Sequence, residues 1–449
     1  MISACGRRPI MAVLAAGVLT GRAMRAWSES TFPMKPVRIL VGFAPGGFTD
    51  YCAIIPGASG VVGAGLARYL AAHRDWRVIG LARRAPRERL EYPVISVDLT
   101  DAAACRARLG GLTGVTHVLY CARAAHAAPV KEPIDVNVAM LRNVLDAVEP
   151  AAGGSEHVHI LQGSKVYGSD LGPYKTPAKE SDARVAENNW YYAQEDLLIE
   201  RSRGKRWSWS ASRPHAVTER EPGIARSIAK LIAVYAAISK ELGEPLCFPG
   251  TAGSFNALYQ CVDITLLARA IAWISTAPAC ANQAFNVTNG DFIRWANLWP
   301  SFAQFFGMHV GPVKTVCLAE AMADKAPVWD RIVRKHGLRR TPYDKATVWS
   351  YGDFNFRRGY DVMSCTLKLR QAGFGDCLDT GRMFLEHFAH FRQQHVIPRA
   401  ARAASIVRTH GGVGMKKTFI APPMLMPAVF MSQSSGTADY PERNQTDCC

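Results

Sequence analysis

GASGVVGAGLARYL, from Gly57 to Leu70, spaces its glycines as Gly57-x-x-Gly60-x-x-Gly63 and then runs into an apolar helical pattern. Each glycine has a physical task. Gly57 permits a tight turn out of a strand, Gly60 lets backbone approach a ligand closely, and Gly63 lets the following helix pack against the strand. The turn also contains Ser59 and Val61. A helix that starts here points its N-terminal N–H groups and partial positive charge at whatever sits in the turn, a setting for phosphate. Glycines alone are a weak signal, but Tyr51 to Ile55 reads as a buried strand and Leu66 to Ala72 as a helix, which is the context a dinucleotide-binding turn needs. Pro56 is an odd neighbour, because it removes a backbone donor at the end of the strand.

The pattern continues outward from that turn. Arg77 to Ala82, Val94 to Leu99, His117 to Ala122 and His157 to Gln162 read as strands, with helical stretches such as Val136 to Val148 between them. Strands separated by helices of this length predict an α/β fold: a Rossmann-like, doubly wound parallel sheet that binds its ligand at the carboxyl ends of the strands. Beyond Pro214 helical segments dominate, including Ile228 to Leu242 and Ile264 to Ser275, with a strand at Gln283 to Asn289. This part reads as a smaller, helix-rich C-terminal substrate region, and the aromatics of Trp295 to Phe306 read as core. The second strand ends in Arg83-Arg84, where a site for NAD would carry an acid. Two guanidinium groups suit a 2′-phosphate, so the expected cofactor is NADP(H), with Asp98 and Leu99 beside the adenine.

Composition narrows the class. The 449 residues are 49% hydrophobic, enough for a large core, and the formal net charge is +16. No Lys/Arg block interleaved with aromatics marks a nucleic-acid groove, so a nucleic-acid partner is not expected. The twelve cysteines form no C-x-x-C pair, which argues against a zinc site and a disulfide framework; no metal is expected. Cys52, Cys121 and Cys261 lie in apolar runs and read as buried thiols, which suits a reducing, cytoplasmic compartment.

The ends read differently from the middle. Arg7-Arg8, an apolar run from Ile10 to Leu19 and small residues near Ala23 follow the layout of a signal peptide, which would imply the periplasm; the run is too short for a stable membrane span. FPMKPVRILVGFAPGGFTD, Phe32 to Asp50, resembles the mature start of the periplasmic solute receptors of tripartite tricarboxylate transport. Residues 399–449 read as a disordered tail. The expected organisation is therefore a signal-like and receptor-like fragment over 1–50, one NADP-binding enzyme domain over 51–398, and the tail. A fused reading frame around the enzyme domain would account for it.

Several stretches of the middle, among them GASGVVG, LQGSKVYG, NNWYYAQED, WSWSASRPHAV and AFNVTNGD, are similar to a short-chain dehydrogenase/reductase of the progesterone 5β-reductase and iridoid synthase group, from about residue 52 to 398. The resemblance implies NADPH-dependent reduction of an activated C=C bond in an enone or a related carbonyl compound. No tyrosine is followed by lysine four positions on, the usual pattern of the wider family. In this group the lysine stands in a G-x-K-x-Y stretch and the tyrosine opens the pair of an N-F-Y-Y stretch, which Gly163 to Tyr167 and Asn189 to Tyr192 match. The implied catalytic pair is Lys165 and Tyr191, with Lys165 also holding the ribose and favouring the phenolate of Tyr191. One departure stands out: after Arg213 to Val217 the group has a Gly-Phe turn and a Met-Asn pair, whereas this chain reads TEREPGIARS, Thr218 to Ser227. Glu219, Arg220 and Glu221 put charge where an apolar wall is expected. A non-catalytic NADP(H)-binding protein, such as a redox sensor or scaffold, therefore stays open as an alternative, as does a homodimer.

Overall fold

The computed structural model describes residues 51–84, 90–124, 132–187 and 189–399. The expectations for residues 1–50 and for the tail beyond Arg399 lie outside them. Seven parallel strands form one sheet: Tyr51–Pro56 (β1), Trp76–Ala82 (β2), Val94–Ser96 (β3), His117–Tyr120 (β4), His157–Leu161 (β5), Ser208–Pro214 (β6) and Gln283–Val287. In space their order is β3, β2, β1, β4, β5, β6 and then Gln283–Val287. The sheet is entered at β1, from which the chain winds outward to β3 and returns across β1 to build the other half. This reversal is the topological switch point at which such sheets bind ligands.

Both faces of the sheet are covered, as the near-continuous apolar runs of the strands require. Val61–Ala71 (α1) and Ile264–Thr276 pack together on one face. Ala102–Leu109 (α2), Ile134–Val148 (α3) and Trp190–Arg201 (α4) pack in sequence on the other. β1 runs one residue further than its apolar pattern suggests, because Pro56 stays in register opposite Leu81 and its carbonyl accepts the Cys121 N–H at 2.9 Å. β3 is shorter than expected and ends at Ser96, since as an edge strand it has only β2 to pair with.

Beyond β6 a separate core forms around Ile228–Glu241 (α5), Trp295–Phe306, Trp349–Phe356 and Thr380–Gln393. Trp295, Trp299 and Phe302 are fully buried, and their rings meet Phe356, Phe384 and Phe388 edge-on or tilted. The aromatics of this region are core, as expected from the sequence. Trp349–Phe356 faces the open end of the sheet and supplies the far wall of the cleft described next.

Candidate active site

The carboxyl ends of β1, β2, β4, β5 and β6 open into one continuous cleft of about 1160 Å³. That exceeds the roughly 300–1,000 Å³ of an ordinary small-molecule pocket and leaves room for two ligands side by side.

The glycine turn lies at one end. Gly57 has φ +87°, and a methyl group there would lie 2.7 Å from Ala122 N and 2.8 Å from the Cys121 carbonyl carbon. A methyl group on Gly63 would lie 2.3 Å from Gly57 O, so this glycine is required for packing α1 against the turn and does not line the cleft. Gly57, Ser59, Gly60 and Val61 do line it. The first turn of α1 has no acidic residue and Gly60 offers no side-chain cap, which leaves amide N–H groups for a ligand. These features fit a diphosphate.

Arg83 borders the same end, beside Asp98 and Leu99, whereas Arg84 lies outside the lining; both are exposed. The Asp98 carboxylate accepts from Thr100 N at 3.0 Å and Thr100 Oγ1 at 2.8 Å; with Arg83 nearby, these bonds hold its pKa below the usual value. The two arginines read together from the sequence therefore take different places.

At the other end stands Tyr191. It is the second residue of α4, and its N–H is capped by Asn189 Oδ1 at 3.0 Å. Gln162 Nε2 donates to the Tyr191 carbonyl at 3.2 Å and to Glu195 Oε2 at 2.8 Å, while Arg213 donates to Gln162 Oε1 at 2.8 Å and to Glu195 at 3.0 Å. This buried network on β5, β6 and α4 holds the base of the tyrosine. A methyl group on Gly163 would stand 3.3 Å from the Tyr191 hydroxyl, so the glycine lets the phenol come down onto the end of β5. Among the described residues the hydroxyl takes part in no hydrogen bond. Burial pushes its pKa well above the usual value, Arg123 and Arg226 pull it back, and Glu132 and Asp170 push it up again. Tyr192, by contrast, is structural: its hydroxyl donates to Val166 O at 2.5 Å and accepts from Val185 N at 3.1 Å.

Lys165 lines the cleft from the short helical turn Ser164–Tyr167. Its ammonium is paired with Glu132 at 2.9 Å and Asp170 at 3.4 Å. Lys165 and Tyr191 line the same cleft, and Arg123 and Arg226 are the cations that act most on the phenol, which burial keeps protonated at neutral pH.

The charged stretch after Val217 also departs from expectation. Glu219 is buried, bonded to Arg68 Nη2 of α1 at 2.5 Å, and accepts the N–H groups of Arg220 and Glu221 at 2.8 and 3.0 Å. None of residues 219–221 lines the cleft; Arg226 does. The sequence reading also missed Arg123, His215, Tyr351 and Arg358, all in the lining. His215 directly follows β6 and Arg123 lies three residues beyond β4, so both could have been found from their position after a strand end.

A PRISE-like Rossmann-fold domain matches residues 96–398. The (S)-8-oxocitronellyl enol synthase of Nepeta cataria is 34% identical over 320 residues, covering 67% of this chain and 80% of that protein. The 3-oxo-Delta(4,5)-steroid 5-beta-reductase of Arabidopsis thaliana is 31% identical over 366 residues, covering 77% and 93%. Among solved structures, a short-chain dehydrogenase/reductase superfamily protein from Agrobacterium tumefaciens with bound NAD aligns with a TM-score of 0.55 at 16% identity, over 77% of this chain and 98% of that one. A UDP-glucose 4-epimerase of Thermus thermophilus aligns with a TM-score of 0.51 at 18% identity, over 76% and 99%. These two likenesses concern the fold, and the relatives bear out the resemblance to the 5β-reductase and iridoid synthase group. The chain belongs to the PRISE-like Rossmann-fold family and is an enzyme.

Proposed function

We propose that the protein is an NADP(H)-dependent oxidoreductase that reduces the activated C=C bond of an enone or a related carbonyl compound. The observation that carries this reading is the Tyr191 hydroxyl, without a hydrogen-bond partner among the described residues, in the same cleft as the glycine turn of α1. When bound, the nucleotide supplies the hydride. The chain's own residues bind and orient: Gly57, Ser59, Gly60 and Val61 accommodate the diphosphate, and Arg83 contacts the 2′-phosphate. Lys165, fixed by Glu132 and Asp170, holds the ribose hydroxyls.

Tyr191 then donates a hydrogen bond to the carbonyl oxygen of the enone, where negative charge grows as an enolate forms. A donor has to be protonated, and the burial that raises the phenol's pKa keeps it so at neutral pH. The flanking Arg123 and Arg226 favour the developing negative charge on the same side.

The test is NADPH oxidation with a panel of cyclic and open-chain enones. Tyr191→Phe removes one donor to the oxygen and should lower turnover by about 10² to 10³, with NADPH affinity nearly unchanged. Full turnover in that variant would remove Tyr191 from the mechanism. An unmodified protein that reduces none of the panel would overturn the enone reading.

A further inference from the structure

The charges that line the cleft do not balance along its length. Near the glycine turn Arg83 lies beside Asp98. In the middle Lys165 and Arg123 share Glu132, and Lys165 reaches Asp170. On the far wall are Arg226 and Arg358, and among the described residues neither is ion-paired with a carboxylate. Each lies over an aromatic ring instead, Arg226 4.7 Å from the centre of Tyr351 and Arg358 4.0 Å from that of Phe354. Both guanidinium groups act on the phenol of Tyr351, on the helix Trp349–Phe356.

Arg358 is the telling residue. It is 8% exposed, and its Nη1 is buried without a hydrogen-bond partner. Beside it His215, also buried, uses Nδ1 on Ser164 Oγ at 2.8 Å, while its Nε2 has no partner. Burial and the Arg358 charge keep that ring neutral. A buried guanidinium without an anion is costly, and a second cation at the same wall adds repulsion. A cleft that keeps the buried Arg358 and the exposed Arg226, neither ion-paired among the described residues, at its substrate end is arranged for an anion that arrives with the substrate.

We propose that Arg226 and Arg358 bind a carboxylate on the substrate, so that the enzyme acts on a keto or enone acid and not on a neutral enone. The planar guanidinium fork matches a carboxylate in geometry as well as in charge. The proposal rests on the enone-reductase reading only for the rest of the molecule; the anion site stands on the far wall alone.

The experiment separates the two. Binding of 6-oxoheptanoate and of its methyl ester, neither of which has a C=C bond to reduce, is measured by calorimetry with the full chain and saturating NADP⁺. The acid is expected to bind about tenfold more tightly than the ester or better, and added salt should weaken only the acid. Arg226→Met and Arg358→Met should each bring the acid-to-ester ratio close to one, with thermal melting as the check of folding. Arg226 is exposed at the cleft, so its variant carries the test if the Arg358 variant does not fold. In parallel, kcat/KM is compared for (E)-6-oxohept-4-enoate and its methyl ester. Preference for the acid in binding without turnover of either enone supports the anion site and counts against the reductase reading. Equal binding of acid and ester, or a preference that survives both substitutions, overturns the proposal.

Discussion

Lowering the pH from about 7.5 to about 5.5 should remove roughly 5 kcal/mol of folding stability, because four histidines are buried neutral. His117 on β4 and His157 and His159 on β5 are each hydrogen-bonded through both ring nitrogens: to the Thr116 hydroxyl and the Ser275 backbone carbonyl for His117, to the Ser208 and Ser210 hydroxyls for His157, and to the Ser210 and Ser212 hydroxyls for His159. Burial pushes His117 down to about 4 and His159 to about 3, and it holds His157 and His215 well below the usual value. The folded state therefore rejects protons that the unfolded chain accepts below about 6.5. Stability from these groups is complete above that value and is lost as the pH falls toward the folded pKa values. One unit into the window each costs about 1.4 kcal/mol, and the four together about 5. Most carboxylates stay ionised in both states over this range. Glu219, whose pKa burial raises, works in the opposite sense and trims the total slightly. The assay is urea unfolding followed by tryptophan fluorescence at both pH values and one ionic strength. His159→Gln keeps hydrogen-bonding capacity without titrating and should reduce the pH effect by about a quarter. A stability change below about 1 kcal/mol, or an unaltered slope in that variant, would refute the reasoning.

Two further expectations concern the arginines after β2 and the buried Glu219. Arg83→Ala should cost about 1.5–3 kcal/mol of NADPH binding and leave NADH binding nearly unchanged, whereas Arg84→Ala should cost less; equal losses for both nucleotides, by titration, would assign Arg83 to the fold. Glu219→Ala leaves Arg68 and two backbone N–H groups without their acceptor. It should destabilise the protein by about 3 kcal/mol, the low end for a broken buried pair because Arg68 is more than a third exposed. An unchanged denaturation midpoint would show that the pair contributes nothing.

The sheet was legible because its signals are local. A strand, a glycine turn and a helix occupy Tyr51 to Ala71 without a break, and each later strand is a short apolar run followed by a helix. The nucleotide end was legible for the same reason: Gly57, Gly60, Arg83 and Asp98 all sit at or just after strand ends. Tyr191 was visible only through the family's motif, since its cap, Asn189, is local but the network that holds its carbonyl joins Gln162, Glu195 and Arg213. Lys165 shows the limit of a motif. The match named the residue, yet its partner Glu132 lies 33 positions earlier, before another helix, and that carboxylate determines where the charge goes.

The stretch from Thr218 to Ser227 is where local reading failed outright, and the reason is physical. Read along the chain, Glu219, Arg220 and Glu221 are three charges in a wall expected to be apolar. A carboxylate that is 1% exposed cannot stay there without a cation and donors. The cation comes from Arg68, 151 positions away on α1, and the donors are the next two backbone N–H groups. Ser227 closes the turn by donating its hydroxyl to Glu219 O at 2.7 Å, and Lys230 donates to Pro222 O at 2.6 Å. Glu219 thus turns its charge away from the cleft and fixes the loop, and the charge the loop presents to the cleft is Arg226. The departure from the family pattern is then an exchange of an apolar wall for a cationic one, which argues for a change of substrate more than for a loss of activity.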